Sequence, residues 1–216
     1  MTVWTSNERF QKLGWLNKYS EQSSLSKLKQ QKFLFFYEMF SKIKNNSCDL
    51  SYLKAYRKGP VFSEVYGDSL YESSEFKYRI ENANDFENID EEVANAALML
   101  ISMRNESELS ELTHIFDLWK SKKDRIDNGE EQIPILETDI TQSDESLISR
   151  LYETYSELSR DEIKPIEIDD KIFVISRENL EQLTSEHKRI LEKLSKNTEL
   201  ENPVYLEIDE GVLLVD

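Results

Sequence analysis

The sequence predicts a mainly α fold, a compact helical bundle followed by a small α+β C-terminal region with two β-hairpins and a helix. Three patterns lead there. Leu25, Leu28, Lys32, Phe35, Phe36, Met39, Phe40 and Ile43 trace a 3.6-residue stripe, the spacing of one face of an amphipathic helix. Ile89, Val93, Ala96, Ala97, Leu100 and Ile101 repeat that spacing. Far along the chain, I-E-I-D-D-K-I-F-V-I at 166–175 is echoed by L-E-I-D-E-G-V-L-L-V at 206–215, an offset of 40 residues. Each string sets apolar runs on either side of an acidic turn, the pattern of a hairpin. The expected organisation is a helical domain over 1–128, a linker over 129–142 and an acidic α+β region over 143–216.

Taken in order, Phe10, Leu13 and Leu16 predict a first helix capped by Ser6 or Asn7, weakened by Gly14. The aromatic stripe follows, behind Ser23 or Ser24 as cap. Phe33, Leu34 and Tyr37 widen it almost all round, so this helix is expected to be buried by several neighbours. Leu50–Tyr56 reads as a short extended or helical piece. Gly59 supplies a turn, and Pro60 then suits a first helical position, where its missing N–H costs nothing, with Val61, Val65 and Leu70 on one face. The polar stretch 72–88 is weakly patterned, a connection holding a distorted helix or an extended segment. Ser107 is expected to cap a helix carrying Leu109, Leu112, Phe116 and Trp119. The segment 127–143 contains Gly, Pro and acids and reads as a linker. A helix over 143–158 and another over 177–196 complete the count, the second carrying Leu180, Leu183, Ile190, Leu191 and Leu194 toward a small antiparallel sheet.

Composition bounds the function. The chain of 216 residues is 38% hydrophobic and 32% charged, which fits a helical molecule with much wet surface. Ten Phe, ten Tyr and three Trp argue against global disorder. The net charge of -16 is uneven: residues 1–60 hold 11 Lys or Arg against 4 Asp or Glu, and residues 129–216 hold 9 against 23. Two readings stay open, solvated surfaces of opposite sign or an acidic region that meets a basic partner. A single cysteine, Cys48, excludes an internal disulfide, and the Met-Thr-Val-Trp start lacks a signal pattern, so a cytoplasmic protein is expected. No apolar run approaches the roughly 18 residues of a membrane span.

Signatures of bond-breaking chemistry are missing. His114 and His187 belong to no metal-ligand motif, no G-x-S-x-G elbow or phosphate-binding glycine loop appears, and Cys48 has no evident base. Lys27, Lys29, Lys32, Lys42 and Lys44 accompany aromatics, a mixture that suits nucleic acid. The aromatics, however, sit at core spacing while the lysines fall largely where a helix meets water.

Three segments carry a further signal: Lys32-Phe33-Leu34-Phe35-Phe36, Ala55-Tyr56-Arg57-Lys58-Gly59-Pro60-Val61, and Leu112-Thr113-His114 with Trp119. Their order and separation resemble the Panacea (SocA-like) antitoxin domain over roughly residues 23–125. That family is similar in having a Lys-bearing aromatic helix, an Ala-Trp-x-x-Gly-Pro-Val junction and a Leu-Thr-His motif followed by Trp. Tyr56 replaces the usual Trp, Asp117-Leu118 stands where a Gly-Pro step commonly precedes Trp119, and 129–216 lie outside the resemblance. The resemblance implies neutralisation of a toxin by direct binding in a toxin-antitoxin or phage-associated system, or, as in some relatives, delivery of a toxin to a protease. It implies no cofactor and no reaction. The positions it marks are Lys32, Tyr56, Gly59, Pro60, Val61, Thr113, His114 and Trp119. Thr113 and His114 read either as a polar pair locking the bundle to the Gly59-Pro60 turn or as partner surface. Rival expectations are an enzyme whose cleft gathers Lys32, Tyr56, Thr113 and His114, and a DNA-binding regulator.

Overall fold

The aromatic stripe forms the centre of the molecule. The structure is a computed structural model that describes residues 3–21 and 25–216. Ser23 and Ser24, the expected caps, lie outside the described residues; α2 (Lys27–Ile43) is capped by Ser26, whose hydroxyl accepts the Lys29 N–H. Residues 31–41 are all buried, so this helix has no solvent face and must be wrapped on every side. Phe33, Phe35, Phe36 and Phe40 are fully enclosed, each contributing about 1.5–3 kcal/mol by leaving water.

The wrapping helices come from along the chain. Helix α1 (Asn7–Tyr19), capped by Ser6, packs on α2 and on α4 (Ser73–Asn82). Gly14 permits that approach, since a Cβ there would sit 2.3 Å from the Ala83 Cβ. Helix α3 (Ser63–Tyr71) lies between α2 and α4. The Ala-rich α5 (Glu91–Ser102) and α9 (Gln142–Ser156) close the other side. Between them run α6 (Glu106–His114), α7 (Asp117–Lys120) and α8 (Lys123–Asp127). Asn105, in a capping box with Glu108, starts α6 in place of the expected Ser107. The single helix expected through Trp119 breaks after His114, because the Asp144 carboxylate accepts the N–H groups of Asp117 and Leu118 and so starts α7 afresh.

Two expectations about the body are corrected. Pro60 does not open a helix: β1 (Leu53–Tyr56) and β2 (Gly59–Phe62) form a hairpin in which Pro60 faces Ala55. β2 is an edge strand, where a residue without an N–H is tolerated. The segment 129–142 is not a mere linker, since β3 (Ile133–Pro134) pairs with β1 and both Ile133 and Ile135 are buried in the main core. Ile148 and Tyr155 of α9 join the same core, so the body does not end at residue 128.

The C-terminal strings form the two expected hairpins, β4 (Ile163–Ile168) with β5 (Lys171–Ser176) and β6 (Val204–Asp209) with β7 (Val212–Val215). Asp169, Glu210 and Gly211 take positive φ at the turns. Strand order is β4-β5-β6-β7 with β5 and β6 parallel, so the sheet is mixed where an antiparallel one was expected. The helix expected over 177–196 divides into α10 (Arg177–Leu180) and α11 (Ser185–Leu194), the latter capped by Thr184. Leu191 is buried against Phe173, Ile175, Val204, Leu206 and Ile208. The architecture is therefore mixed α/β, 53% helix with two small sheets; the hairpin at 53–62 and the strand at 133–134 are what the mainly α expectation lacked. Among the described residues no helix is long and apolar enough to cross a membrane.

Replacing Ile133 by Ala should cost about 2–5 kcal/mol in urea unfolding, against less than about 0.5 kcal/mol for the exposed Leu136→Ala. Equal small effects would restore the linker reading.

Candidate functional site

Among the buried polar residues of α2, Gln31 and Lys32 engage the β1–β2 hairpin and Glu38 holds the segment that leads into it. Gln31 accepts the Phe62 N–H at 2.8 Å and donates to the Phe62 carbonyl at 3.3 Å. Lys32, fully buried, donates to the Lys58 carbonyl at 2.7 Å and to the Thr113 hydroxyl at 2.9 Å. Glu38 accepts from the Lys12 ammonium at 2.5 Å and from the Asp49 N–H at 2.8 Å. A buried polar group left unpaired costs about 1–3 kcal/mol. Satisfying these three therefore fixes the path of the segment they hold.

The motif residues converge on the hairpin turn. Gly59 adopts φ +99, and a Cβ there would lie 2.2 Å from the Thr113 Oγ1 and 2.3 Å from the Lys32 Nζ. Only glycine fits both the backbone and the space. The Thr113 hydroxyl in turn donates a hydrogen bond to the Leu109 or Ser110 carbonyl, at 3.1 and 3.0 Å. His114 stacks on Trp119 with ring centroids 3.8 Å apart, and the Trp119 indole N–H donates to the Tyr56 carbonyl at 2.9 Å. Thus Lys32, Tyr56, Gly59, Thr113, His114 and Trp119 meet at one junction. Pro60 and Val61 continue β2 away from it. Thr113 is wholly enclosed and hydrogen-bonded, as a locking residue would be; His114 is half-buried.

Electrostatics follow from burial. Lys32 faces two neutral acceptors, and desolvation lowers its ammonium pKa from 10.5 to about 7. His114 is lowered by burial and then by the Lys32 charge. Burial raises the Cys48 thiol to about 12, which leaves it an unreactive thiol at neutral pH. His187 lies elsewhere, its Nε2 3.2 Å from the Gly211 carbonyl.

Of the lysines expected to face water, Lys27 is exposed and Lys42 and Lys44 are partly exposed, whereas Lys29 and Lys32 are buried. Lys29 is buried and pairs with Glu167 at 2.6 Å, Lys42 pairs with Glu137 and Lys44 with Glu92, each at 2.6 Å, while Lys27 donates to the Ser69 carbonyl at 2.8 Å. Part of the basic N-terminal charge is thereby matched within the molecule by the acidic C-terminal part.

Outside the junction the hairpin and α3 form an open, aromatic-walled groove. Tyr56 and Tyr66 meet edge to face at 5.8 Å. They separate a hollow of about 430 Å³, bordered by Leu28, Lys58, Val61 and Leu70, from one of about 480 Å³ that reaches Tyr71 and Glu131. Tyr71 is 84% exposed and Leu70 43%. The motifs pointed at the junction but not at Gln31, Tyr66, Leu70 or Tyr71. Gln31 stands in the polar run Lys29-Gln30-Gln31-Lys32, where nothing local sets it apart, and exposure of α3 had no signal either.

Comparison with known proteins finds no family model, no curated protein and no solved structure that matches this chain.

Gly59→Ala should destabilise the protein by about 1–3 kcal/mol through backbone strain, with additional cost from the clash. A midpoint unchanged in chemical denaturation would refute the close fit. Between pH 7 and 10.5 an unfolded Lys32 holds its proton while the folded one has released it, so the unfolded chain binds more protons and stability rises with pH. Wild-type stability relative to Lys32→Met should therefore increase across that window in denaturation measured at stepped pH. A flat difference would show the ammonium to be as well solvated folded as unfolded.

Proposed function

We propose that this chain is an antitoxin-like protein that neutralises a cognate toxin of basic character by direct protein–protein binding, in a toxin-antitoxin or phage-associated system, in the manner of the Panacea (SocA-like) family it resembles. The observation that carries this reading is the convergence of the motif positions. Lys32 and Thr113, 81 residues apart, hydrogen-bond to each other, and Gly59 packs directly against that pair with no room for a side chain. These groups are engaged in holding a hairpin rather than aligned around an open cleft, which favours a scaffold that presents a surface.

The surface so presented supports the same reading. Tyr66, Leu70 and Tyr71 project from α3 beside the hollows that flank Tyr56. Protein interfaces draw their binding energy from a few aromatic side chains of this kind set beside pockets. The acidic C-terminal part supplies long-range attraction for a basic toxin. It acts as part of the folded body, since deleting 129–216 would remove β3 and α9 from the core; its contribution has to be tested by charge reversal.

Expression of the product of the adjacent gene should arrest growth, and co-expression of this chain should relieve the arrest and yield a complex in a pull-down. Leu70→Asp combined with Tyr71→Ala, both exposed, should abolish relief and complex while leaving the thermal midpoint unchanged. An arrest that this chain does not relieve, with no complex recovered, would end the proposal.

A further inference from the structure

Among the described residues the two sheets expose four edge strands, and three of them are protected. On β2 the outward-facing amide position of Pro60 carries no N–H, and Gln31 occupies both backbone groups of Phe62 as a neighbouring strand would. β3 is two residues long and ends in Pro134. β4 carries Pro165 between Lys164 and Glu167. These are the usual devices that stop an edge from pairing with another chain. The fourth edge, β7, has none: it reads Val212-Leu213-Leu214-Val215, without proline or charge.

Its backbone is available. Tyr205 and Asp216 exchange both N–H···O bonds at 3.0 Å, so by antiparallel alternation Leu214 and Val212 point their amides at β6. Leu213 and Val215 therefore direct their N–H and carbonyl groups outward. No strand pairs on that side among the described residues. Beside the edge, Tyr205, Val212 and Leu214 lie on one sheet face, at 52%, 59% and 45% exposure. The rim is acidic: Glu207, Asp209, Glu210 and Asp216 are all exposed.

We propose that β7 is a docking edge that takes an extended, basic segment of a partner protein as a fifth strand of the C-terminal sheet. Backbone hydrogen bonds supply the pairing, alternate apolar side chains of the segment cover Val212 and Leu214, and its Lys or Arg residues meet the acidic rim. Charge argues against a second copy as the occupant. An antiparallel β7–β7 pairing would bring the Asp209–Glu210 end of one copy against Asp216 of the other, like charges side by side. The proposal deepens the basic-partner reading above, on which it rests only for the identity of the partner; the edge itself can be tested without any toxin.

The probe is a labelled octapeptide alternating Lys with Val and Thr, compared with its Glu counterpart, titrated against the full chain by fluorescence anisotropy with amide shifts recorded in parallel. The Lys peptide should bind, weaken as salt is raised, and shift the amides of residues 212–215, while the Glu peptide does not bind. Val215→Pro removes one outward N–H and leaves the β6 ladder intact, so it should weaken binding about tenfold, the worth of one hydrogen bond. The exposed pair Glu207→Lys and Asp209→Lys should transfer preference to the Glu peptide, which tests the rim even if the proline variant disturbs the sheet. Absence of binding, shifts confined to other residues, or no exchange of preference overturns the proposal. So does self-association in sedimentation that Val215→Pro abolishes, because the occupant is then a second copy. Failure here leaves toxin neutralisation standing, and failure of growth relief leaves the peptide result standing.

Discussion

The constraint on which the rest of the structure depends is a helix with no wet side. α2 places eleven consecutive residues, 31–41, in the interior, and helices from both ends of the chain are drawn in to cover it. Its polar exceptions matter as much as its phenylalanines. Gln31, Lys32 and Glu38 can be buried only if each finds partners, and they find them on Phe62, Lys58 and Asp49. A short irregular segment thereby acquires a fixed course from side chains on one helix. The aromatic core supplies most of the stabilisation, and the three polar groups decide where the hairpin goes.

How far the sequence foretold this depended on the range of the interaction. Local signals held: the stripe of α2, the Ser6 cap of α1, and the acidic turns at Asp169 and Glu210, where short side chains or an adjoining glycine accept positive φ. Failures came where a distant partner decided. Gly59-Pro60 has the chemistry of a helix start, yet Gln31 and β1 hold it extended. Ile133-Pro134-Ile135 has the composition of a linker, yet Leu53 and Lys54 draw it into the sheet. Asp144 interrupts a helix whose own residues would have continued it. At the candidate site the participants were legible as motif positions, whereas the Lys32–Thr113 bond was not, because no local rule joins residues 81 positions apart.

Charge asymmetry proved to be partly an internal matter. Lys29 meets Glu167, Lys42 meets Glu137, and Glu21, held at about 2 by Arg177 and Lys164, ties the first loop to the C-terminal sheet. Most of these pairs are at least partly solvated, where water screens the attraction and an ion pair gains little. Glu167 and Lys164 lie on β4, so two of these pairs reach the C-terminal sheet, while Glu137 lies in the segment after β3. The firmer attachment is apolar: Ile172 and Val174 of β5 sit in the main core while Phe173 and Ile175 face α11. That strand is shared by two cores, so the second hairpin is carried on the first and not on a tether.

The enclosure of α2 has a consequence for the nascent chain. α9 provides Ile148, Tyr155 and the Tyr152 ring that meets Phe40 at 5.3 Å, and it begins about a hundred residues after α2 ends. At ribosomal speeds of roughly 5–20 residues per second, an aromatic rod leaves the exit tunnel some 5–20 s before α9 emerges to cover it. During that interval the growing polypeptide displays its greasiest surface, and holdases and proteases compete with α9 for it.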